Sequence, residues 1–589
     1  MKHLPRQHSS QLLCSLFAGG ALLLALIPGN AADYVVDGSN SAALDTNPGT
    51  TAQPLKTITA AVAKAQAGDA VEVRAGVYRG EKIVFAQSGT KDQPIVLKAA
   101  DGAPVTIKGS QVITDWQADP QTPGAFKHDG WSSYFRKWDQ PVLDYMKAGT
   151  PAPLNKYGGI MYDARNKPRN QLFVDETPLE EVPTRELLHA GSFFIDPASK
   201  AVALWLTDGS DPGKHVVEMS NTEGPLLTTN GKSYITIQGL SFEQGANGPQ
   251  DNGLVRFAGG SNCLADHCKV SLAAGAGLTF SGESHIVRQG VFNHNGEEGL
   301  HSSNAINSRV EQCETSFNNT LPGKEYNNGW EAGGNKFARS RNLTIDGLVT
   351  HDNNGPGIWF DVDNEDCTIE NCVSYNNNFG IFYEISYTAL VINNRAYHNS
   401  DTGIYISSSA GCRVYNNTTY QNGKSGISIE VSVRNDGTPN RKISGYSNRI
   451  FNNIVAENQT VHYSKSFNLG LIGKTGTDLP AITDSKLPMV PNVSDYNLFY
   501  EAGSEPFFIG PGSARPKTLQ EWQTASGQDA HSVWGAPGFT DAAKGDFSLS
   551  AGSPARGKGV ALKEVTTDTV GTARPADAPC DLGALQSKN

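Results

Sequence analysis

Four glycines, Gly357, Gly380, Gly403 and Gly426, recur every 23 residues, and each opens a short strand-like run: GIWFD, GIFYE, GIYIS and GISIE. GNKFA, at Gly334, keeps the same interval. A repeat of this length, made of brief β-type segments and Asn-rich corners, constrains the chain to stack coil on coil, because one such segment cannot bury its apolar side alone. Equivalent residues of successive coils then stand roughly 4.8 Å apart in a parallel ladder. The expected fold is all-β, a parallel β-helix. Sixty-two glycines, with 38% hydrophobic and 18% charged residues, suit strands joined by tight corners. A compact-core estimate would divide 589 residues into about three or four domains. A solenoid grows along one axis and needs no such division.

The first 32 residues have the layout of a signal peptide: Lys2 and Arg6, an apolar run from Leu12 to Ile27, then Pro28 and small residues up to Ala32. Cleavage is expected after Ala31 or Ala32, and Cys14 lies inside the apolar run, outside any lipidation box. No second apolar segment is long enough to span a bilayer. An exported protein, periplasmic or secreted, is the expectation. Losing Lys2 and Arg6 takes the formal charge from -11 to -13, a poor match for nucleic acid or an anionic membrane. The seven remaining cysteines include the five-residue spacings of NCLADHC and CTIENC. These favour small side chains stacked inside the solenoid over disulfides or zinc.

Residues 33–115 read as an N-terminal cap and first coils. KTITAAVAKAQ, with Ile58, Ala61, Val62 and Ala65 on one side, is the expected capping helix. Residues 116–220 break the pattern with Trp131, Trp138, prolines and alternating strands, and read as an inserted all-β module. Either tryptophan is a candidate for sugar contact or for a structural role. Residues 221–490 carry the regular coils and the functional face; residues 491–589 are irregular coils and a C-terminal cap. Two Asn columns are expected: Asn353, Asn376, Asn399 and Asn422 in one, and Asn371, Asn394 and Asn417 in the other, both structural corners. The first segment resembles the N-terminal region of bacterial right-handed parallel β-helix proteins in Asn47-Pro48-Gly49-Thr50, Gly68-Asp69 and Gly76-Val77-Tyr78. DTVGTARPADAPCDLGALQ resembles their terminal segment.

Side chains alternate along a strand. In the glycine-led runs the second and fourth positions, such as Ile358 and Phe360, turn inward; the third and fifth turn outward. The third column reads Lys336, Trp359, Phe382, Tyr405 and Ser428; the fifth reads Ala338, Asp361, Glu384, Ser407 and Glu430. An exposed aromatic column beside an acidic one suits sugar chemistry, in which rings stack on flat C–H faces and two carboxyls share acid and nucleophile or base duties. Asp361 and Glu384, one coil apart, are the expected catalytic pair. Their spacing matches the roughly 5–5.5 Å of retaining enzymes, whereas Glu384 with Glu430 would suit inversion. Two close carboxyls resist double ionisation, which keeps one protonated. Between Ser302 and Gly334 the spacing lengthens, so a loop carrying NNTLPGKEYNNGWEAGG is expected beside this pair.

GPGIWFD, FGIFYEIS and the preceding GWEAGGNKF resemble glycoside hydrolase family 120, most strongly over residues 329–390. The resemblance implies a right-handed β-helix with retaining β-xylosidase-like activity, Asp361 as nucleophile, Glu384 as general acid/base, and Glu331 near the bound sugar. Lys336, Trp359, Phe382, Tyr405 and Glu430 complete the expected substrate-binding set. The chain departs from the family pattern after each acid, at VDNED and EIS, so the sugar itself stays open. No cofactor is expected; DVDNED, residues 361–366, hints at calcium but fails the EF-hand pattern at Asp366 and Cys372. Two other classes remain. A polysaccharide lyase or uronate epimerase would use Lys336 or His301 as base, and a noncatalytic carbohydrate-binding solenoid would use the aromatics alone.

Overall fold

The computed structural model describes residues 32–135, 169–250, 252–323, 325–329, 331–439, 441–458, 467–469, 486–502, 508–509 and 518–588. The signal-peptide reading and Trp138 lie outside them. Among the described residues the strands form three long parallel sheets of 13, 12 and 13 strands, each coil giving one strand to each sheet. The β-helix expected from the 23-residue register is therefore present. Its inward residues are completely enclosed: Phe337, Phe360, Tyr383 and Ile406 are each 0% exposed. They form a column, with ring centroids 5.0 Å apart for Phe337 and Phe360 and 5.5 Å for Phe360 and Tyr383. Stacking identical positions gives every inward side chain the same neighbours above and below, which is why a short repeat can sustain a continuous core.

Corners are fixed by Asn side chains, with a correction to the expected columns. The first ladder runs through Asn353, Asn377, Asn399 and Asn422, not Asn376. Asn377 Oδ1 accepts from the Asn353 backbone N–H at 3.1 Å, and Asn399 Nδ2 donates to Asn422 Oδ1 at 2.9 Å. Asn376 is exposed, at φ 54°, and donates to Asp352. In the second ladder Asn394 and Asn417 are joined by Asn453 and Asn497. Asn371 stands outside it at φ 58°, and the Cys372 N–H donates to Asn394 Oδ1 instead. One corner lengthens to 24 residues and the next shortens to 22, so uniform spacing points one residue astray. Ladder asparagines bond the adjacent coil; the left-handed positions belong to their neighbours. All seven cysteines beyond Cys14 are buried free thiols.

The expected capping helix spans Ile58–Lys64 and buries Ile58, Ala61 and Val62. Thr57 caps it, accepting from the Ala60 N–H, while the Glu81 carboxylate takes the Ile58 and Thr59 N–H groups at 3.0 and 2.8 Å. These contacts satisfy helix-terminal donors that the chain itself leaves open. Pairings between Ser110 and Ser220, all antiparallel except Glu180–Glu181 with Ser192–Phe193, form two further small sheets with their own core, in which Trp131 packs near Phe193, Leu204 and Met219. At 4% exposure Trp131 is a core residue of that module. Glu218 ties the module to the solenoid through Arg79, Lys108 and Gln244. Among the described residues no helix is long and apolar enough to cross a membrane.

Candidate active site

Strands Gly333–Ala338, Ile358–Asp361, Ile381–Glu384, Thr402–Ser407 and Ser425–Glu430 lie side by side in the 12-stranded sheet. Their register pairs Lys336 with Trp359, Trp359 with Phe382 and Phe382 with Tyr405; it also pairs Asp361 with Glu384, Glu384 with Ser407, and Ser407 with Glu430. Both outward columns are thus as the sequence aligns them. A cavity of about 570 Å³ opens over the fifth-position column, lined by Gly329, Trp359, Asp361, Glu384, Ile385, Glu430, Ser432 and Arg434.

Each carboxyl has a different environment. Asp361 Oδ2 lies 3.1 Å from Lys336 Nζ, whose ammonium also sits 3.8 Å above the Trp359 ring centre. Glu384 is 8% exposed and accepts from Trp359 Nε1 at 3.1 Å on one oxygen and from Arg434 on the other. Burial pushes the Glu384 carboxyl above the usual carboxylate range, and the nearby Asp361 charge adds to that, against the opposing pull of Arg434 and Lys336. Glu430 goes the other way. Burial alone would raise it, but hydroxyls of Ser407, Tyr405 and Ser432 donate to its oxygens at 2.6, 2.6 and 2.9 Å, and Arg434 lies near, so it is held below the usual range. One carboxyl is thus disposed to carry a proton and another is paired with an ammonium, the divergent states that separate acid and nucleophile duties require.

The aromatic column differs from expectation. Trp359, Phe382 and Tyr405 are not an open platform: Trp359 is 2% and Phe382 8% exposed, and the three rings stack on one another at 5.3 and 5.0 Å. Phe379 adds a further ring against Phe382 and Tyr405. Ring faces that coil stacking presses together are unavailable to a sugar. The column instead braces the neighbouring carboxyls, through Trp359 to Glu384 and through Tyr405 to Glu430.

Of the expected residues, Asp361, Glu384, Trp359 and Glu430 line the cavity, and Lys336, Phe382, Tyr405 and Glu331 do not. Glu331 is 3% exposed and accepts from Gln250 Nε2. Glu297, which it neighbours, is completely buried and raised well above the ordinary range by desolvation, then by the charge of Glu298. His301 is buried, with Nδ1 2.8 Å from Glu298 Oε2. The residues missing from the expected set are Gly329, on the long loop, and Ile385, Ser432 and Arg434. Arg434 belongs to a hairpin pairing Arg434–Asn435 with Lys442–Ile443. That hairpin follows the GISIE strand and bears none of the 23-residue period; only the basic cluster in VRNDGTPNRK marks it. The DVDNED corner carries ion pairs, Asp363 with Arg341 and Arg441, and Glu365 with Arg341 and Lys486. Among the described residues no three His, Cys, Asp or Glu side chains are grouped to hold a metal.

Comparison with known proteins agrees with the architecture. The family model "Right handed beta helix region" matches residues 252–419, and that of chondroitinase B matches residues 53–116. No curated protein sequence matches the chain. Among solved structures, the complex of XylC with xylose has 15% identity and a TM-score of 0.67, covering 95% of this chain and 98% of XylC. Pectate lyase Pel9A has 13% identity and a TM-score of 0.42 over 95% of this chain and 96% of its own. The A-module of the Azotobacter vinelandii mannuronan C-5 epimerase AlgE6 has 12% identity and a TM-score of 0.42, over 82% and 94%. At 15% identity the likeness to XylC is one of fold, and with the matching family model it is that of a right-handed parallel β-helix.

Proposed function

We propose that this protein is a retaining glycoside hydrolase acting on an oligo- or polysaccharide, with β-xylosides the first substrates to test. The carrying observation is the in-register pair Asp361 and Glu384 at one cavity, the first beside an ammonium and the second buried with its acidity suppressed. Neighbouring strands of a parallel ladder hold such carboxyls close to the roughly 5–5.5 Å separation of double displacement. In the first step an Asp361 oxygen bonds to the anomeric carbon, the glycosidic C–O bond breaks, and the Glu384 proton goes to the departing oxygen. In the second, Glu384 takes a proton from water, the water oxygen bonds to the anomeric carbon, and the ester bond breaks, returning its electron pair to Asp361. Glu430, anionic and held by three hydroxyls, is a ready acceptor for a sugar hydroxyl. The leader-like first 32 residues support action outside the cytoplasm.

A lyase or epimerase would need a base aimed at a uronate C5 proton. The two candidates are otherwise engaged, Lys336 with Asp361 and Trp359, and His301 with Glu298. A panel of aryl glycosides with wild type, Asp361→Asn and Glu384→Gln tests the proposal. Asp361→Asn is expected to cost about 10²–10⁴-fold in turnover across the panel, and Glu384→Gln a similar factor on the aryl glycosides with the poorest leaving groups; proton NMR of the first product should show retained anomeric configuration. Unchanged activity in both variants, or an unsaturated uronate absorbing in the ultraviolet, would overturn it.

A further inference from the structure

Asp361 and Glu384 each have a cationic side chain beside them, and the two cations come from different parts of the fold. Lys336 belongs to the coil preceding Asp361 and contacts it at 3.1 Å. Arg434 arrives on a hairpin 50 residues after Glu384 and pairs with that carboxylate. The hairpin is firmly rooted. Its buried Asp436 accepts from Tyr387 Oη at 2.7 Å and from Arg441, Arg441 reaches Asp363 at 3.3 Å, and Ile443 packs with Ile385 and Tyr387. So much anchorage fixes where Arg434 stands relative to the coil that carries Glu384.

Double displacement moves one negative charge between these two positions. Asp361 is the anion before the first step. Once it is an ester it carries no charge, and Glu384, having given its proton to the leaving group, is the anion. From this arrangement we infer that Arg434 is a positioning residue for the second half-reaction, holding Glu384 ionised and oriented as the base that activates water, while Lys336 serves the ionised Asp361 of the first. The inference rests on the proposed glycosidase reading. The charged and titratable groups facing Glu384 are Asp361 and Lys336 from the coils on one side, Arg434 from the hairpin, and Glu430 and Tyr405 from the coils on the other. With Asp361 esterified, the repulsion that favours protonated Glu384 disappears and the attraction of Arg434 remains. A cation placed for the first step alone would be counterproductive at Glu384, since it opposes the proton the acid must hold.

The test uses the full-length protein and the activated aryl glycoside that wild type hydrolyses fastest, beginning with 4-nitrophenyl β-xyloside. Arg434→Met is expected to lower kcat about 10–100-fold while kcat/KM stays within about threefold. A burst of nitrophenol, a lowered KM, and an acid limb of kcat displaced to higher pH should accompany this. Azide, a nucleophile that needs no base, should restore turnover, and Arg434→Lys should recover most of kcat. Circular dichroism establishes that the variants fold; should Arg434→Met not fold, the likewise uncharged Arg434→Gln against wild type gives the same comparison of limbs and burst. If kcat and kcat/KM fall together without a burst, or the acid limb does not move, Arg434 has only a structural role and the inference fails. If wild type itself yields inverted product or none, the parent reading fails and the inference with it.

Discussion

Glu384 carries two donors on a buried carboxyl, and their chemistry makes its protonation measurable. Because its acidity is suppressed, the alkaline side of the kcat/KM profile should fall as pH rises through the Glu384 value. The Trp359 N–H favours the ionised form, so Trp359→Phe should displace that alkaline limb to higher pH, read from kcat/KM measured across pH. Glu297 offers a stability counterpart. Its folded-state pKa is raised, first by burial and then by Glu298, so the folded protein holds a proton that the unfolded chain releases near the ordinary glutamate range. The stabilisation is therefore complete below the unfolded pKa and is lost as pH rises through the folded one. Glu297→Gln should flatten this dependence, raising Tm by roughly 1–2 °C at pH 8 with little change at pH 4, as calorimetry across pH would record.

Among elements, the Asn corners give a contrast between adjacent residues. Asn377→Ala strips hydrogen bonds from the buried Asn353 N–H and the Thr350 carbonyl, and should cost about 3 kcal/mol. Asn376→Ala, at an exposed left-handed corner, should cost about 1 kcal/mol; denaturant titration of both variants separates the two. That pair also shows what the sequence can convey. Period-2 alternation within a strand is strict, because every side chain must choose a side, so Ile358, Phe360, Asp361 and Glu384 were legible with their partners. Corners absorb an extra residue at small cost, so a ladder was legible as a type of residue and misplaced by one position. Alternation says which side a ring faces and nothing about what covers it, hence the buried stack of Trp359, Phe382 and Tyr405. Arg434 was invisible because its hairpin follows no period and reaches Glu384 only through tertiary anchoring at Asp436 and Ile443.

At the scale of the molecule, the coils extend one another and the ends are the exception. The Ile58–Lys64 helix buries Val62 against the first coils at 1% exposure, covering core surface that would otherwise drive association. Val62→Asp should therefore produce soluble aggregates in preference to a uniformly less stable monomer, seen by light scattering during mild heating. The sequence disclosed this cap through its helical spacing, as it did the solenoid through the glycine register; the interruption by the small sheets showed as alternating strands outside the register, read as an inserted all-β module from residue 116, whereas the pairings begin at Ser110. The buried thiols along the same axis have a practical corollary. Cys263, Cys268, Cys313, Cys367, Cys372, Cys412 and Cys580 form no disulfide and are spread along the axis: Cys263 shares a coil with Cys268 and Cys367 with Cys372, Cys313 and Cys412 lie in two others, and Cys580 sits on the C-terminal segment beside Asn452. Maturation then needs no oxidant, and a thiol-specific alkylating reagent becomes a positional clock: the order in which these seven masses appear would map the end from which the molecule unzips.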